Sequence, residues 1–450
     1  MSKVPNGWAI TSIGQITDYV QRGKSPKYAD FSELPVINQK CIRWFGIQEE
    51  HLKYVDPAQW SAWSDERFLR NGDILWNSTG TGTIGRAALY RGLETAPRAV
   101  ADSHVTIVRA NNAVIPDFLH RFIQSPAVQS KIDDMQAGST NQVELGKEAV
   151  LTTSVPLPPL PEQKRIVAKI DSLSGKSKRA SDHLDHIPRL VEKYKQAVLA
   201  AAFRGDLTRE WRTKFNLPKW EKSTLGEVVR IASGQTPKGI EHRLTDGAEI
   251  PWFKVSSMNE PDNLNGMVNS KFRLTSKDAK ALGLRVFEPG SIAFPKRGGA
   301  IATNKKRRLL VPGALDLNLM VLTAERISPD YLWWWMLKLD LSSLSNGSNV
   351  PQINNGDISP LELDIPSPDE QQEISRILKN AFSWIERLAS EATSARKLND
   401  FLDQSILAKA FRGELLPQDP DDEPAARLLE RIAAERAATP KAKRGRTRKA

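Results

Sequence analysis

The second half of the chain repeats the first, and no other feature constrains the fold as much. Glu162-Gln163 recurs as Glu370-Gln371, and Phe203-Arg204-Gly205-Asp206-Leu207 recurs as Phe411-Arg412-Gly413-Glu414-Leu415 at the same offset. The segment between these two marks therefore repeats without a gap. Upstream the match continues with small insertions: Gly138-Ser139 with Gly347-Ser348, Gln142 with Gln352, Gly146 with Gly356, and Pro156 with Pro366. Near the start of each copy Trp8 and Gly14 match Trp220 and Gly226, and Gly23 and Pro26 match Gly234 and Pro237. A period of about 200 residues is too long for a solenoid, so each copy is expected to be a domain with a connector.

The connector is the most readable part. Ile166, Ile170, Leu173, Ser177, Ala180, Leu184, Ile187, Val191, Tyr194, Val198 and Ala201 are alternately four and three residues apart. The second copy repeats the pattern with Ile374, Leu378, Ala381, Ile385, Leu388, Ala392, Ala395, Asn399, Leu402, Ile406 and Lys409. This is a heptad seam. Neither Pro nor Gly interrupts Glu370 to Phe411, which predicts a single long helix. The first copy carries Gly175 and Pro188, and a helix-interior proline costs about 3 kcal/mol, so a kink or break is expected near His186. Pro-rich stretches at 156–161 and 366–369 set the helix starts. Two such helices, with no other partner for their apolar stripes, are expected to pack on each other.

The remaining segments, 1–155 and 217–365, read as mixed α/β domains with many short strands. The turns Asn71-Gly72-Asp73 and Pro289-Gly290-Ser291 precede the β-rich runs Ile74-Leu75-Trp76 and Ile292-Ala293-Phe294, and short helices are expected after Pro116-Asp117 and Pro329-Asp330. Trp333-Trp334-Trp335 covers more than one face of such a helix. The linear order is a first domain (1–155), a helical spacer (156–216), a second domain (217–365), a second spacer (366–416) and a terminal region (417–450). That region opens with an acidic, Pro-rich linker, continues with an amphipathic helix over Ala425–Ala438, and closes with a basic, low-complexity segment.

Composition narrows the function classes. One cysteine, Cys41, excludes a disulfide framework and any multi-Cys metal site, and suits a reducing compartment. The most apolar stretch, Tyr331 to Leu339, falls short of a membrane span, so a cytoplasmic protein with no membrane partner is expected. The net charge of +11 favours an anionic partner, but it is unevenly placed. Residues 1–160 hold equal numbers of acidic and basic side chains, 217–360 are net basic, and 436–450 hold seven basic residues and no acidic one. A neutral first domain must depend on local geometry for any grip on an anionic partner, whereas the second can add salt-dependent attraction.

Enzyme signatures are missing. The sequence has no GxxxxGK[ST] phosphate loop, HExxH, GxSxG or Asn-Pro-Pro-aromatic tetrad. His183 and His186 have no third ligand nearby and read as a solvated helix face. What remains are polar, Gly-rich loops whose amides and hydroxyls suit phosphates and whose Arg, Lys, Asn and Gln suit base edges. The candidates in the first copy are Lys24, Ser25, Asn77, Ser78, Thr79, Thr81, Thr83, Arg86, Asn141 and Gln142. In the second they are Gln235, Thr236, Lys296, Arg297, Asn304, Lys305, Lys306, Gln352 and Asn354. The bland alternative is that these loops are merely tight turns.

These residues carry a resemblance. PLPPLPEQKRIVAKID leading to LAAAFRGDL, and DIPSPDEQQEISRIL leading to LAKAFRGEL, resemble the DNA-specificity subunit of type I restriction-modification enzymes over essentially the whole chain. The resemblance implies two target-recognition domains, each reading half of a bipartite, asymmetric site in double-stranded DNA. It also implies an antiparallel coiled coil that spaces the two domains and docks two modification subunits. The spacer and docking candidates are Ile166, Ile170, Leu173, Leu184, Val191, Tyr194, Phe203, Ile374, Leu378, Ile385, Leu388, Leu402, Ile406 and Phe411. Methylation of adenine N6 with S-adenosylmethionine, and translocation and cleavage with ATP and Mg2+, fall to the modification and restriction subunits. This chain itself would bind no cofactor or metal and perform no catalysis. Two rivals stay open: a self-contained methyltransferase or nuclease with unrecognised motifs, and a coiled-coil interaction protein.

Overall fold

A computed structural model describes residues 4–80, 82–137, 144–344 and 350–438. Thr81, Asn141 and Gln142, the Gly138-Ser139 and Gly347-Ser348 pairs, and the basic segment from 439 onward lie outside the described residues.

The first copy supplies strands β1 (Ala9–Ser12), β2 (Thr17–Arg22), β3 (Ile74–Asn77), β4 (Ala87–Leu89), β5 (Val105–Ala110), helix α1 (Pro116–Gln124) and strand β6 (Ser154–Leu157), and enters helix α2 (Leu160–Phe203). The second supplies β7 (Glu221–Thr224), β8 (Val229–Ser233), β9 (Ile292–Pro295), β10 (Arg307–Arg308), β11 (Leu319–Ala324), helix α3 (Pro329–Lys338) and β12 (Glu362–Ile365), then helix α4 (Pro368–Phe411). Helix α5 (Ala425–Ala438) follows. Both expected turns precede strands, and both expected short helices form.

The chain folds as two compact units: Met1–Asp185 with Ser394–Ala450, and His186–Thr393. Each unit therefore holds one of the two globular domains together with part of each long helix. In the first unit an antiparallel sheet runs in the order β2-β5-β3-β4. In the second the order is β8-β11-β9-β10, the same topology. Strand periodicity explains why these runs are apolar on both faces. Ile74, Trp76 and Val108 point into one core while Leu75, Val105 and Ile107 point into another on the opposite side. In the second unit Ile292, Phe294, Met320 and Leu322 divide from Ala293, Leu319 and Val321 in the same way. Of the tryptophan run, Trp335 is buried, Trp333 stacks under Arg308, and Trp334 packs edge-on to Phe382.

The repeated motifs are joints. Trp8 Nε1 donates to Glu162 Oε2 at 3.0 Å, and Trp220 Nε1 donates to Glu370 Oε2 at 2.9 Å. Next to each glutamate, a glutamine ties the helix start to the preceding turn. Gln163 Oε1 accepts from Ile115 N and its Nε2 donates to Pro158 O; Gln371 Oε1 accepts from Ser328 N and its Nε2 donates to Pro366 O. The Phe-Arg-Gly motif ends both long helices. Gly205 (φ 78°) and Gly413 (φ 73°) adopt the left-handed conformation, and the paired bonds Gly205 N to Ala202 O with Asp206 N to Ala201 O recur as Gly413 N to Ala410 O with Glu414 N to Lys409 O. The phenylalanines then cross over. Phe411, from the second copy, packs edge-on against Phe118 and Phe122 in the first unit, while Phe203, from the first copy, packs on Tyr331 in the second.

Within the first unit Asn399 Nδ2 donates to Ser177 O and Ser181 Oγ, and Arg396 meets Asp185. Within the second, Tyr194 packs edge-on to Trp384 and Lys195 pairs with Glu386 at 3.7 Å. Rising numbers on α2 meet falling numbers on α4, so the helices pair antiparallel as expected. The break expected near His186 is absent: α2 runs unbroken over 44 residues through Gly175 and Pro188. Pro188 is exposed, so water can satisfy the carbonyl its missing N–H leaves free. Burial of Ile166 and Ile170 in one unit and of Leu199, Ala202 and Phe203 in the other holds the helix at both ends.

Candidate nucleic-acid interface

Each recognition domain has a polar edge built on a glycine. At the end of β2, Gly23 N donates to Val105 O and Lys24 N to Ala101 O. A Cβ at Gly23 would lie 2.1 Å from Ala101 O and 2.3 Å from Asp102 O, so only glycine fits this approach. Gly234 is the counterpart, with a Cβ position 2.1 Å from Asp316 O and Gln235 N donating to Leu315 O. The glycine sets each edge, and the side chains after it differ.

In the first unit Ser25 Oγ lies 2.6 Å from Ser103 Oγ, Thr79 Oγ1 lies 2.7 Å from His104 Nδ1, and Arg22 donates to Ser103 O and pairs with Glu144. Lys24 is exposed, its ammonium 5.8 Å from the Trp63 ring. Arg86 donates to Gly82 O, and Thr83 Oγ1 to Gln39 Oε1. Two candidates are corrected. Asn77 and Ser78 are fully buried, Asn77 Nδ2 donating to Gln39 O and Ser78 Oγ bonding Thr106 Oγ1, so they shape the loop from inside.

In the second unit backbone bonds fix the edge from both sides: Lys296 N to Asn318 O, Ile353 N to Lys296 O, and Gly298 N to Pro351 O. Arg297 sits at a bridge with Gln352, its side chain exposed and without a bonded partner among the described residues. Lys296 Nζ donates to Ser233 Oγ; burial, and then the neighbouring Arg297, lower its pKa. Gln235 is spent internally, accepting from Arg285 N and donating to Gly283 O, and Thr236 Oγ1 accepts from Leu317 N. Gln352 donates to Asn354, and Lys305 bonds Asn259. Lys306 is also corrected. It is buried beneath the loop, donates to Asn304 Oδ1 and Leu339 O, and burial pulls its pKa down to about 8. Asn304 (φ 51°) completes this strut by accepting from Leu341 N.

Aligned through these bonds, the two edges place Arg22, Thr79, His104 and Glu144 where the other has Ser233, Arg297, Asn318 and Gln352, so the counterpart of Gln352 is Glu144 and not the sequence-matched Gln142. Arg22, His104, Glu144, Ser233 and Asn318 escaped the sequence reading. Ser78 N donates to His104 O as Lys296 N donates to Asn318 O, so aligning the segments after Asp102 and Asp316 would have found the His104 pair. Among the described residues no group of His, Cys, Asp or Glu side chains is placed to hold a metal ion.

The family model of the type I restriction modification DNA specificity domain matches residues 5–182 and 218–391. The chain belongs to the type I restriction-modification DNA specificity family. Its two matched domains serve DNA sequence specificity in such a system. The chain is 25% identical to the type I restriction enzyme StySPI specificity subunit of Salmonella potsdam, across 97% of this chain and 96% of the relative. It is also 25% identical to the EcoKI specificity subunit of Escherichia coli (strain K12), across 97% of each chain. Two solved structures share the fold. One, from work on complex assembly and conformational transition of the type I R-M system, has a TM-score of 0.71 at 20% identity, covering 92% of this chain and all of the other. The HsdS subunit from Thermoanaerobacter tengcongensis has a TM-score of 0.62 at 20% identity, covering 92% and 98%.

In this specificity-family chain the long helices also expose apolar side chains, and most of the predicted seam is not among them. Ile166, Ile170, Ile406 and Phe411 are buried in the core of the first unit, Phe203, Ile374 and Leu378 are buried in that of the second, and Ile385 is buried as well. Leu173, Leu184 and Val191 are half-buried. The exposed apolar side chains are Leu398, Phe401 and Leu402 on the first unit, and Leu190, Tyr194, Trp384 and Leu388 on the second. Only Tyr194, Leu388 and Leu402 among these were candidates. No helix among the described residues is long and apolar enough to cross a membrane.

Proposed function

We propose that this chain is the reading subunit of a type I complex in which each recognition domain takes one half of a bipartite, asymmetric DNA site. The antiparallel helices set the interval, and their exposed apolar side chains dock two modification subunits. Those partners methylate adenine N6 with S-adenosylmethionine, a restriction subunit brings ATP- and Mg2+-dependent cleavage, and this chain performs no covalent step. One observation carries the reading: the same backbone edge occurs twice with different chemistry on it. A hydroxyl, an imidazole and an Arg–Glu pair on one edge, and a guanidinium with amides on the other, make different hydrogen bonds to base edges in the major groove. Phosphate contacts fix register, which a partner needs if its pocket is to receive one particular flipped adenine.

Exchanging the first domain for a relative's tests this. The junction belongs after Leu157, so that the β1–β6 pairing, Ala9 with Leu157, stays within the exchanged block. Methylome sequencing should show one half-site replaced and the other unchanged. Replacement of both halves would sink the modular reading. The purified chain alone, incubated with DNA and labelled S-adenosylmethionine, should transfer no methyl group, and transfer would favour the enzyme rival.

A further inference from the structure

The duplication makes each unit a template for the other, and at one place beside the long helices the two differ. In the second unit that place is filled from within. Phe382 of α4 packs edge-on to Trp334 of α3 with ring centres 4.9 Å apart, and Lys195 of α2 lies 5.5 Å from the Phe382 ring and pairs with Glu386 at 3.7 Å. The offset that aligns Phe203 with Phe411 puts Ser174, Lys178 and Asp403 at the places of Phe382, Glu386 and Lys195. The match of Pro116 with Pro329 puts Arg121 at the place of Trp334. Two aromatic rings thus give way to a hydroxyl and a guanidinium, and the ion pair is reversed in sign. Among the described residues the reversed pair does not form. Lys178 pairs with Asp182 on its own helix at 3.1 Å, Arg121 pairs with Asp171 at 2.8 Å, and the buried Oδ1 of Asp403 has no hydrogen-bond partner. The result is a cleft of about 1000 Å3 in the first unit, lined by Arg121, Ser174, Lys178 and Asp403.

We propose that this cleft receives a segment of the modification subunit docked on the first unit, one that carries an aromatic side chain next to a lysine or arginine. The second unit shows which chemistry fits. A ring takes the space that Phe382 and Trp334 fill there, and a cation meets Asp403 in place of the ion pair that Lys195 and Glu386 make internally. A buried carboxylate oxygen without a partner is costly, and a cationic partner relieves that cost on binding. The wall of the cleft extends this surface. A hairpin pairs Ile42–Arg43 with Gly46–Ile47, and at its tip Trp44 and Phe45 are 43% and 82% exposed, with Gln124 Nε2 donating to Trp44 O at 2.8 Å. Asp102 N bonds Ile37 O as Asp316 N bonds Phe253 O, and after that matched point the second copy has a 3-10 turn, Val255–Asn259, in place of the hairpin. Exposed aromatic side chains are what the core of a protein interface favours. The two docking sites are therefore unequal, the first open to an anchor and the second sealed by its own side chains.

This inference rests on the proposed docking of two modification subunits, and the test separates the two. The full chain is titrated with its purified modification subunit, and native mass spectrometry gives the affinity of each of the two binding steps. D403N should weaken one step by about 30-fold, the lower end of what losing one member of a desolvated charge pair costs, and leave the other unchanged. S174F, which fills the cleft with the side chain that the second unit has there, should weaken the same step. Thermal melts of the free chain tell docking from a structural role: Asp403 Oδ1 gives up no internal bond, so D403N should melt no lower than the parent. A lower melting temperature would make the carboxylate a structural group and overturn the docking. A photo-reactive residue in place of Ser174 should capture, from the purified modification subunit, a peptide with an aromatic residue adjacent to Lys or Arg. A captured peptide lacking either would overturn the assigned chemistry. Unchanged affinities in both variants would overturn the cleft alone, and equal weakening of both steps would overturn its restriction to the first unit. Unchanged affinities together with loss of self-association of the free chain would put a second copy in the cleft instead. A parent chain that takes up no modification subunit would overturn the docking reading itself.

Discussion

Trp8 and Trp220 each spend an indole N–H on a buried glutamate, but the two carboxylates sit in different electrostatic company. Glu370 also accepts from Thr208 Oγ1 and pairs with Arg212 at 2.8 Å, whereas among the described residues Glu162 has as hydrogen-bond partners only Trp8 and a long contact from Gln418, and burial raises its pKa. An acid whose folded pKa is raised contributes its stability below the unfolded value and loses it as pH rises through the folded one. Glu162→Gln keeps an oxygen for the indole and removes that penalty, so urea unfolding near pH 7 should find it within about 1 kcal/mol of the parent. Glu370→Gln strands Arg212 and should cost about 2–4 kcal/mol. Equal costs would contradict the assignment. His120 offers a pH test. It is buried with Nε2 on Ala87 O, and burial lowers its pKa to about 4. A depressed pKa gives stability that is present above the unfolded value and is lost as pH falls, here between about 6.5 and 4. The stability gap between the parent and His120→Gln should narrow by about 2 kcal/mol from pH 7.5 to pH 5 in parallel thermal melts. At the second polar edge, the unspent guanidinium of Arg297 is the group best suited to a bidentate contact with guanine. Arg297→Ala should relax one position of one half-site, at a cost of about 1–3 kcal/mol in discrimination. Uniform weakening on every sequence would instead make it a phosphate contact.

Among the elements, the paired helices show most directly what sequence reveals and what it hides. Heptad spacing showed both helices and their pairing because the pattern is local and repeats many times. It could not show that Ile166, Ile170, Ile406 and Phe411 face a globular core rather than a partner, because that depends on residues far away in the chain. Nor could it show that Glu-Gln and Phe-Arg-Gly are joints, since each matters only through a tryptophan, a turn or an aromatic cluster elsewhere. Pro188 misled for a related reason: local propensity predicts a break, and packing at both helix ends overrides it. Of the polar loop candidates, Asn77, Ser78 and Lys306 have the right chemistry but turn inward, and which way a loop residue faces has no sequence period to betray it. Asn399 is a polar member of the seam, and its two bonds to Ser177 and Ser181 suit a register pin. Asn399→Leu should raise the melting temperature yet blur the register. Cysteines placed at 185 and 396 should then crosslink less completely than in the parent, where Asp185 and Arg396 are bonded.

For the whole molecule, the duplication makes each unit share a helix with the other copy. The helix that begins in the first unit ends in the core of the second, and the helix that begins in the second ends in the core of the first. A change of length in one helix alone must therefore break a joint, whereas matched changes need break none. The place for them is where the compact units divide, between Asp185 and His186 and between Thr393 and Ser394. One heptad added at both points lengthens each helix by about 10 Å while keeping the seam in phase. At about 3.4 Å per base pair this is close to three base pairs. Methylome sequencing should then find both half-site sequences unchanged and the interval between them about three base pairs longer. The same heptad in only one helix should lower stability and abolish modification, because Phe203 or Phe411 can no longer reach its aromatic cluster while the other joints hold. An unchanged interval after the matched insertion would mean that something other than the helices sets the spacing, and the docked modification subunits would then be the next element to test.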